Sequence, residues 1–209
     1  MVHSHLGRNT LEEYMQPMRV LVACEFSNRV RDAFLTRGHD AWSCDLRRAD
    51  HPSRDYRRHL RCDVGPLLRE SWDLVIAHPP CTYLCNSGVW LIHRQEDRLE
   101  GVAYGAAFFL ECLGANAPKV CVENPVMHKY AKAYIPWQPT QIIKPYQFGE
   151  RGTKKTCLWL RGLPPLVPTE MVDKQYRIET TCQKLGSSDS DKRSITFQGI
   201  ANAMAAQWG

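Results

Sequence analysis

Cys81 stands directly after Pro79 and Pro80, which in turn follow the apolar run Asp73-Leu-Val-Ile-Ala77 and His78. Two prolines stiffen the backbone, so the thiol is placed at the rim of a buried strand rather than merely packed there. A thiolate held in this way can add to an electron-poor carbon if an acid or base lies within reach. A second apolar run, Lys119-Val-Cys-Val122, ends in Glu123 and Asn124. A carboxyl beside a nucleophile is the pairing that covalent catalysis needs. Taken singly, these residues have ordinary readings: an inert buried cysteine, a helix cap or a surface acid. Their position after two separate strands is what points to chemistry.

The elements that must position them follow from hydrophobic pattern. Short apolar segments at Arg19-Val-Leu-Val-Ala-Cys24, Ala41-Trp-Ser-Cys-Asp45, Asp73–Ala77 and Lys119–Val122 predict buried strands, with a minimal strand at Asp63 and Val64 and a later one at Thr156-Cys-Leu-Trp-Leu160. Val30, Ala33 and Phe34 recur at helical spacing between Ser27 and Arg37, and Gly38 stops that helix. Leu99–Leu113 and the Ala-rich Gly199–Gln207 predict further helices. Strands alternating with helices imply an α/β fold with a Rossmann-like, doubly wound, mostly parallel sheet. In such a sheet ligands bind beyond the carboxyl ends of the strands. Glu25, Phe26 and Ser27 follow the first strand, Asp45 the second, Asp63 the third, His78-Pro-Pro-Cys81 the fourth and Glu123-Asn-Pro125 the next, so acids, a thiol and an amide converge on one rim.

Length and composition bound the rest. With 209 residues, 44% hydrophobic and 23% charged, the chain suits one folded domain and excludes a disordered, collagenous or coiled-coil protein. Residues 1–17 form an N-terminal extension expected to be flexible, and 18–209 a single domain with a reduced insertion at about 160–195, where Ser187-Ser-Asp-Ser-Asp-Lys192 reads as a mobile loop. The longest apolar runs fall short of the ~18 residues that span a bilayer, and no secretory signal opens the chain, so a cytoplasmic protein with no membrane partner is expected. Nine cysteines, an odd number without an export signal, predict free thiols. The net charge of +5 is weak evidence for a polyanionic partner. Cys81 and Cys85 have the spacing of a zinc pair, but no second Cys/His pair accompanies them, so no metal is expected.

From Met18 to Gly209 the chain resembles the cytosine-5 DNA methyltransferases, and its overall wording resembles a compact phage or prophage branch of that family. Asp73–Gly88 is similar to the family's strand and Pro-Cys nucleophile loop, including Gly88 seven residues past Cys81, and Val122-Glu-Asn-Pro125 is similar to its Glu-Asn-Val motif with Pro125 in place of valine. The resemblance implies that Cys81 adds to carbon 6 of cytosine, that Glu123 supports N3 and the exocyclic amine, and that Asn124 braces the Cys81 loop. Carbon 5 then takes the methyl group of S-adenosylmethionine, leaving S-adenosylhomocysteine. In duplex DNA the base must leave the stack to reach such a site.

The resemblance also assigns the cofactor side. Phe26 and Ser27 match the methionine-binding turn, Asp45 the ribose-binding acid and Asp63 the adenine-contacting acid, while Pro79 borders the cofactor and Asn202 lies in the last motif, Phe197-Gln-Gly-Ile-Ala-Asn202. The family's glycine-rich turn is here Cys24-Glu-Phe-Ser-Asn28 without glycine, and Glu25 is expected to take the cofactor's amino group. Pro80, Ser87 and Gly88 fall on the substrate side, as do Lys154, Lys155 and Thr156, where lysines replace the family's arginines. A lysine binds phosphate as a point charge and lacks the planar fork. About 36 residues separate Trp159 from Thr196, too few for a recognition domain, so a short or relaxed sequence context is expected. Arg47, Arg48, Arg54, Arg57, Arg58 and Arg61 either contact phosphates or form a solvated basic face. Two other readings stay open: methylation of a free cytidine nucleotide or RNA, and a catalytically inactive module that binds nucleic acid or cofactor.

Overall fold

The computed structural model describes residues 16–50, 56–92, 94, 97–179 and 195–209. Among these, seven strands form one sheet: β1 (Arg19–Ala23), β2 (Asp40–Cys44), β3 (His59–Leu60), β4 (Leu74–Ala77), β5 (Lys119–Asn124), β6 (Gln141–Ile143) and β7 (Thr156–Arg161). Their order is β3-β2-β1-β4-β5-β7-β6. Strands β1 to β5 pair in parallel, and β7 runs antiparallel to both β5 and β6. This is the expected Rossmann-like, doubly wound and mostly parallel α/β architecture. The strand order reverses between β1 and β4, which opens the crevice where ligands of such sheets bind.

Alternation along each strand divides the core. Leu21, Ala23, Val75, Ala77, Val120 and Val122 pack on one face with α2 (Gly65–Leu68), α3 (Arg98–Leu113) and α4 (Lys129–Tyr134). Val20, Val22, Leu74, Ile76 and Cys121 pack on the other with α1 (Arg29–Thr36) and α5 (Gln198–Trp208). All eleven strand residues are fully buried. Covering both faces explains why these strands read as continuous apolar runs. Truncating one of them, Ile76→Ala, would cost roughly 2–5 kcal/mol. On the α3 face Phe109 meets Trp159 of β7 edge to face at 4.9 Å, tying the antiparallel strand to the parallel half.

A buried polar cluster locks α1 to β2. The wholly buried Arg31 donates through Nη1 to Ser43 Oγ at 3.1 Å, Ser43 Oγ donates to Asn28 Oδ1 at 3.1 Å, and His59 Nδ1 lies 2.9 Å from the same hydroxyl. This hydroxyl contact places β3 at His59–Leu60, where it pairs with Ser43 and Cys44, and corrects the expected strand at Asp63 and Val64. Asp63 comes after the strand and accepts the Gly65 N–H through Oδ1 at 2.9 Å, opening α2. The short β6 and α4 were not expected from the sequence. The proposed mobile loop at 187–192, nearly all of the N-terminal extension and part of the 160–195 insertion lie outside the described residues. No helix among the described residues is long and apolar enough to cross a membrane.

Candidate active site

Register brings the strand ends level. Ala23 pairs with Cys44 and Ala77, and Ala77 pairs with Val122, so Asp45, Cys24, His78 and Glu123 follow side by side along one rim. His78 and Glu123 share the parity of Ile76 and Cys121 and meet: His78 Nδ1 is 3.3 Å from Glu123 Oε2. Asn124 has the opposite parity and is 1% exposed. Its Nδ2 donates to the Pro79 carbonyl at 2.9 Å, which braces the chain two residues before Cys81.

Further contacts hold the loop that carries Cys81. Backbone N–H groups of Leu84 and Cys85 both donate to the Cys81 carbonyl at 3.0 Å, forming a tight turn. The His128 N–H donates to the Leu84 carbonyl at 3.0 Å, and Cys85 forms an isolated antiparallel bridge with Met127. His128 Nδ1 accepts the Ala131 N–H at 3.0 Å, so its Nε2 carries the proton and donates to the Tyr83 carbonyl at 2.8 Å. Arg98 Nη2 donates to the Thr82 carbonyl at 2.8 Å. On α3 the missing side chain of Gly101 leaves room for the Tyr83 ring, whose Cε1 lies 2.5 Å from where a Cβ would stand. The loop is therefore rigid while Cys81 itself stays partly exposed.

Electrostatics at the rim are uneven. The hydrogen bond with Cys85, followed by burial, pushes the Cys81 thiol well above its ordinary value; the Glu123 charge adds to this and the Lys154 charge opposes it. At neutral pH the thiol is protonated at rest, and the cation that works toward the thiolate is Lys154. Glu123 moves the other way. Burial pushes its carboxyl up, but the His78 hydrogen bond and the charges of Lys154 and His78 outweigh burial, leaving it below the ordinary carboxyl range. Lys154 thus acts on both members of the pair, from the segment just before β7.

On the cofactor side the turn lacking glycine takes the shape glycine would give. Cys24 and Asn28 both adopt left-handed backbone, with φ of 58° and 62°, a conformation that costs a non-glycine residue roughly 1–2 kcal/mol. Glu25 is 3% exposed and turned into the protein: Oε1 accepts the Val30 N–H at 2.8 Å and Ser27 Oγ–H at 3.3 Å, and Oε2 accepts the Arg31 N–H at 3.3 Å. It caps α1 internally, and burial raises its pKa in spite of those donors and the charges of His78 and Arg31. Phe26 is buried beneath the Arg47 guanidinium, 3.7 Å from its ring centre. Asp45, at the end of β2, accepts the Arg47 N–H through Oδ1 at 2.8 Å. An acid at that strand end and an aromatic beside it fit a ribose-bearing cofactor; Glu25, with both oxygens already accepting, does not present a free carboxylate to an amino group.

The other expected residues are spread more widely. Pro79 is buried, Pro80 exposed, Lys154 half-buried, Lys155 exposed and Thr156 buried as the first residue of β7. Ser87 and Gly88 lie in the 3₁₀ turn Asn86–Leu91 after the Cys81 loop. Asp63 is exposed, and Asn202 is exposed on α5, where its Oδ1 accepts from Gln198 Nε2 at 2.9 Å. The basic segment is largely tied to the protein: Arg47 to Asp45 and Phe26, Arg58 to Asp40, Arg61 Nε to the Leu46 carbonyl at 3.0 Å. Arg54 lies outside the described residues. Sequence reasoning missed His78 and His128. His78 carried a signal, since it sits in register with Glu123 after a fully apolar strand; His128 carried none. Among the described residues no three His, Cys, Asp or Glu side chains are grouped to hold a metal.

No known family profile and no curated protein matches the chain. Among solved structures it is similar to a protein encoded in prophage Cp of E. coli and proposed as a DNA modification methyltransferase, at 13% identity and TM-score 0.45, covering 73% of this chain and 51% of that one. It is also similar to the Dnmt2 methyltransferase of S. pombe, at 12% identity and TM-score 0.41, covering 88% and 56%. An rRNA methylase of E. coli gives 19% identity and TM-score 0.38, covering 69% and 57%. The chain spans about half the length of these methyltransferases. Similarity at this level leaves family and substrate open, so the functional reading rests on the side chains.

Proposed function

We propose that the chain transfers a methyl group from S-adenosylmethionine to carbon 5 of cytosine in DNA, through a covalent bond between Cys81 Sγ and carbon 6. What supports this reading is that Cys81, on a loop braced by Asn124 after β4 at the switch point, feels the charge of Glu123 at the end of the adjoining β5. When bound, S-adenosylmethionine supplies an electrophilic methyl group. Asp45 would hold its ribose hydroxyls and Phe26 would border it, with Asp63 at its adenine and Asn202 beside it.

The protein's own part is to make carbon 5 nucleophilic. Cys81 loses its proton to solvent with the help of the Lys154 charge and adds to carbon 6. Glu123 receives the exocyclic amine, and N3 takes up a proton as the ring is attacked. After methylation the carbon 5 proton leaves to solvent, the Cys81 bond breaks, N3 gives up the proton it took and the ring regains aromaticity. Lys154, Lys155 and Thr156 border the base or its phosphates, with Pro80, Ser87 and Gly88 on the loop opposite. On this reading residues 18–209 act as one methyltransferase domain in the cytoplasm, with no metal and with a short or relaxed sequence context. One observation favours a second reading, a silent binding module: the Cys81 thiol is raised, against the needs of a resting nucleophile.

Incubation with labelled methyl donor and, side by side, deoxycytidine monophosphate, transfer RNA and duplex DNA separates these readings. Label in 5-methylcytosine of duplex DNA is expected. Label in the nucleotide or the RNA alone would move the substrate, and cofactor binding without transfer to any of them would support the module.

A further inference from the structure

His78 closes β4 between Ala77 and Pro79, and no role above uses it as more than a neighbour of Glu123. Its backbone N–H donates to the Ala23 carbonyl at 2.9 Å, which fixes the residue beside β1 at the switch point. Its ring Nδ1 lies 3.3 Å from Glu123 Oε2, and its Nε2 is buried with no hydrogen-bond partner among the described residues. Such an unpaired buried nitrogen carries a desolvation penalty that a purely structural side chain after a strand would not need. From the β1 side the buried Glu25 is close enough for the two charges to interact. One imidazole therefore meets the carboxyl of Glu123 on β5, and its charge acts on Glu25 in the turn after β1.

The groups facing this row are few. Arg31 of α1 acts on Glu25; Lys154 acts on Glu123 and Cys81; the thiols of Cys81, Cys121 and Cys157 feel the Glu123 charge. Glu123 alone is a poor proton source, because its neighbours keep it ionised. A carboxylate accepts from the exocyclic amine of cytosine but has no proton to give to N3.

We propose that His78 positions Glu123 and holds its proton: Nδ1–H fixes Oε2 so that Oε1 meets the pyrimidine, and the pair carries one further proton, which passes from Oε1 to N3 and leaves neutral His78, still bearing Nδ1–H, beside an ionised Glu123. The inference rests on the cytosine reading above. As the Sγ–C6 bond forms, the C5=C6 π pair moves to C4–C5 and the C4=N3 π pair moves to N3, which takes the proton and leaves a neutral ring beside the carboxylate. When the Sγ–C6 bond breaks, the electron flow reverses and N3 returns the proton to the pair. His78 touches no reacting atom in this scheme and acts through Glu123.

The test compares wild type with His78→Asn and His78→Ala in single-turnover adduct formation on 5-fluorocytosine duplex DNA between pH 6 and 9. Asparagine keeps an N–H near the Nδ1 position but cannot hold a proton. His78→Asn is expected to keep wild-type affinity for cofactor and DNA while its rate falls roughly 100-fold, the scale of general acid–base catalysis, and its pH profile departs from that of the wild type. His78→Ala loses more, because Glu123 is then unanchored. A wild-type rate and pH profile in His78→Asn would overturn the inference and leave the cytosine reading intact; failure of the wild type to form any adduct would overturn both. Independently of variants at 78, the wild-type protein should show a low-field Nδ1–H proton resonance that disappears in Glu123→Gln, and its absence in the wild type would overturn the pairing.

Discussion

Replacing Asn124 with alanine isolates the brace beneath the Cys81 loop. The Asn124 amide is buried, and its Nδ2 supplies a 2.9 Å hydrogen bond to the Pro79 carbonyl. Losing the donor leaves that carbonyl short of a partner, which costs about 1–3 kcal/mol. One term works the other way: Asn124 Oδ1 is itself buried without a partner among the described residues, so truncation also removes an existing penalty. The net expected loss is about 1–2 kcal/mol. For a chain of this length each kcal/mol moves the melting temperature by roughly 2–4 °C, so calorimetry should record a fall of about 2–8 °C. Methyl transfer should fall further than stability, because the prolines before Cys81 lose their anchor. A melting temperature within about 1 °C of wild type would show that the hydrogen bond does not fix the loop.

Glu123→Gln should flatten acid unfolding. The folded-state Glu123 pKa lies below its ordinary 4.5, so its contribution is present above that value and lost as pH falls through the folded value; wild-type and variant melting temperatures that run parallel from pH 6 to pH 3 would contradict this. At the alkaline end, burial pushes Cys157 up to about 11 and Cys112 up to about 12 from 9.0, so their contribution is present below pH 9 and lost as pH rises toward those values. Cys112→Ala should therefore lose less stability than wild type between pH 9 and 11, and an unchanged slope would count against the burial argument. Lys154→Met removes the cation opposing the rise of the Cys81 thiol, so it should lower the adduct rate, and part of that loss should be recovered at higher pH. No change would remove Lys154 from the site.

Much of the fold is written in the chain because both faces of the parallel strands are covered. Leu74–Ala77 and Val120–Val122 have to be apolar throughout, and such runs are legible. The two-residue β3 is not, since His59 and Leu60 are too few to show a period, and their place is set by the contact between His59 and the Ser43 hydroxyl. The three residues of β6 are lost among prolines for the same reason. Asn124 and Glu123 can be read as rim residues, but their division of labour follows from opposite parity on β5, with one side chain bracing the loop and the other meeting His78. Glu25 shows the limit of reading by position. It occupies the expected turn, yet the N–H groups of Val30 and Arg31 claim its carboxylate, because the first turn of α1 has no other acceptor in place.

The central claim, that Cys81 attacks the base, is tested most directly by mass spectrometry of the protein after incubation with S-adenosylmethionine and a duplex containing 5-fluorocytosine, where fluorine at carbon 5 blocks release of the enzyme. The account predicts a covalent protein–DNA species whose attachment maps to Cys81 and is absent from Cys81→Ala. Attachment at another cysteine, or methylation of unmodified DNA by Cys81→Ala, would contradict it.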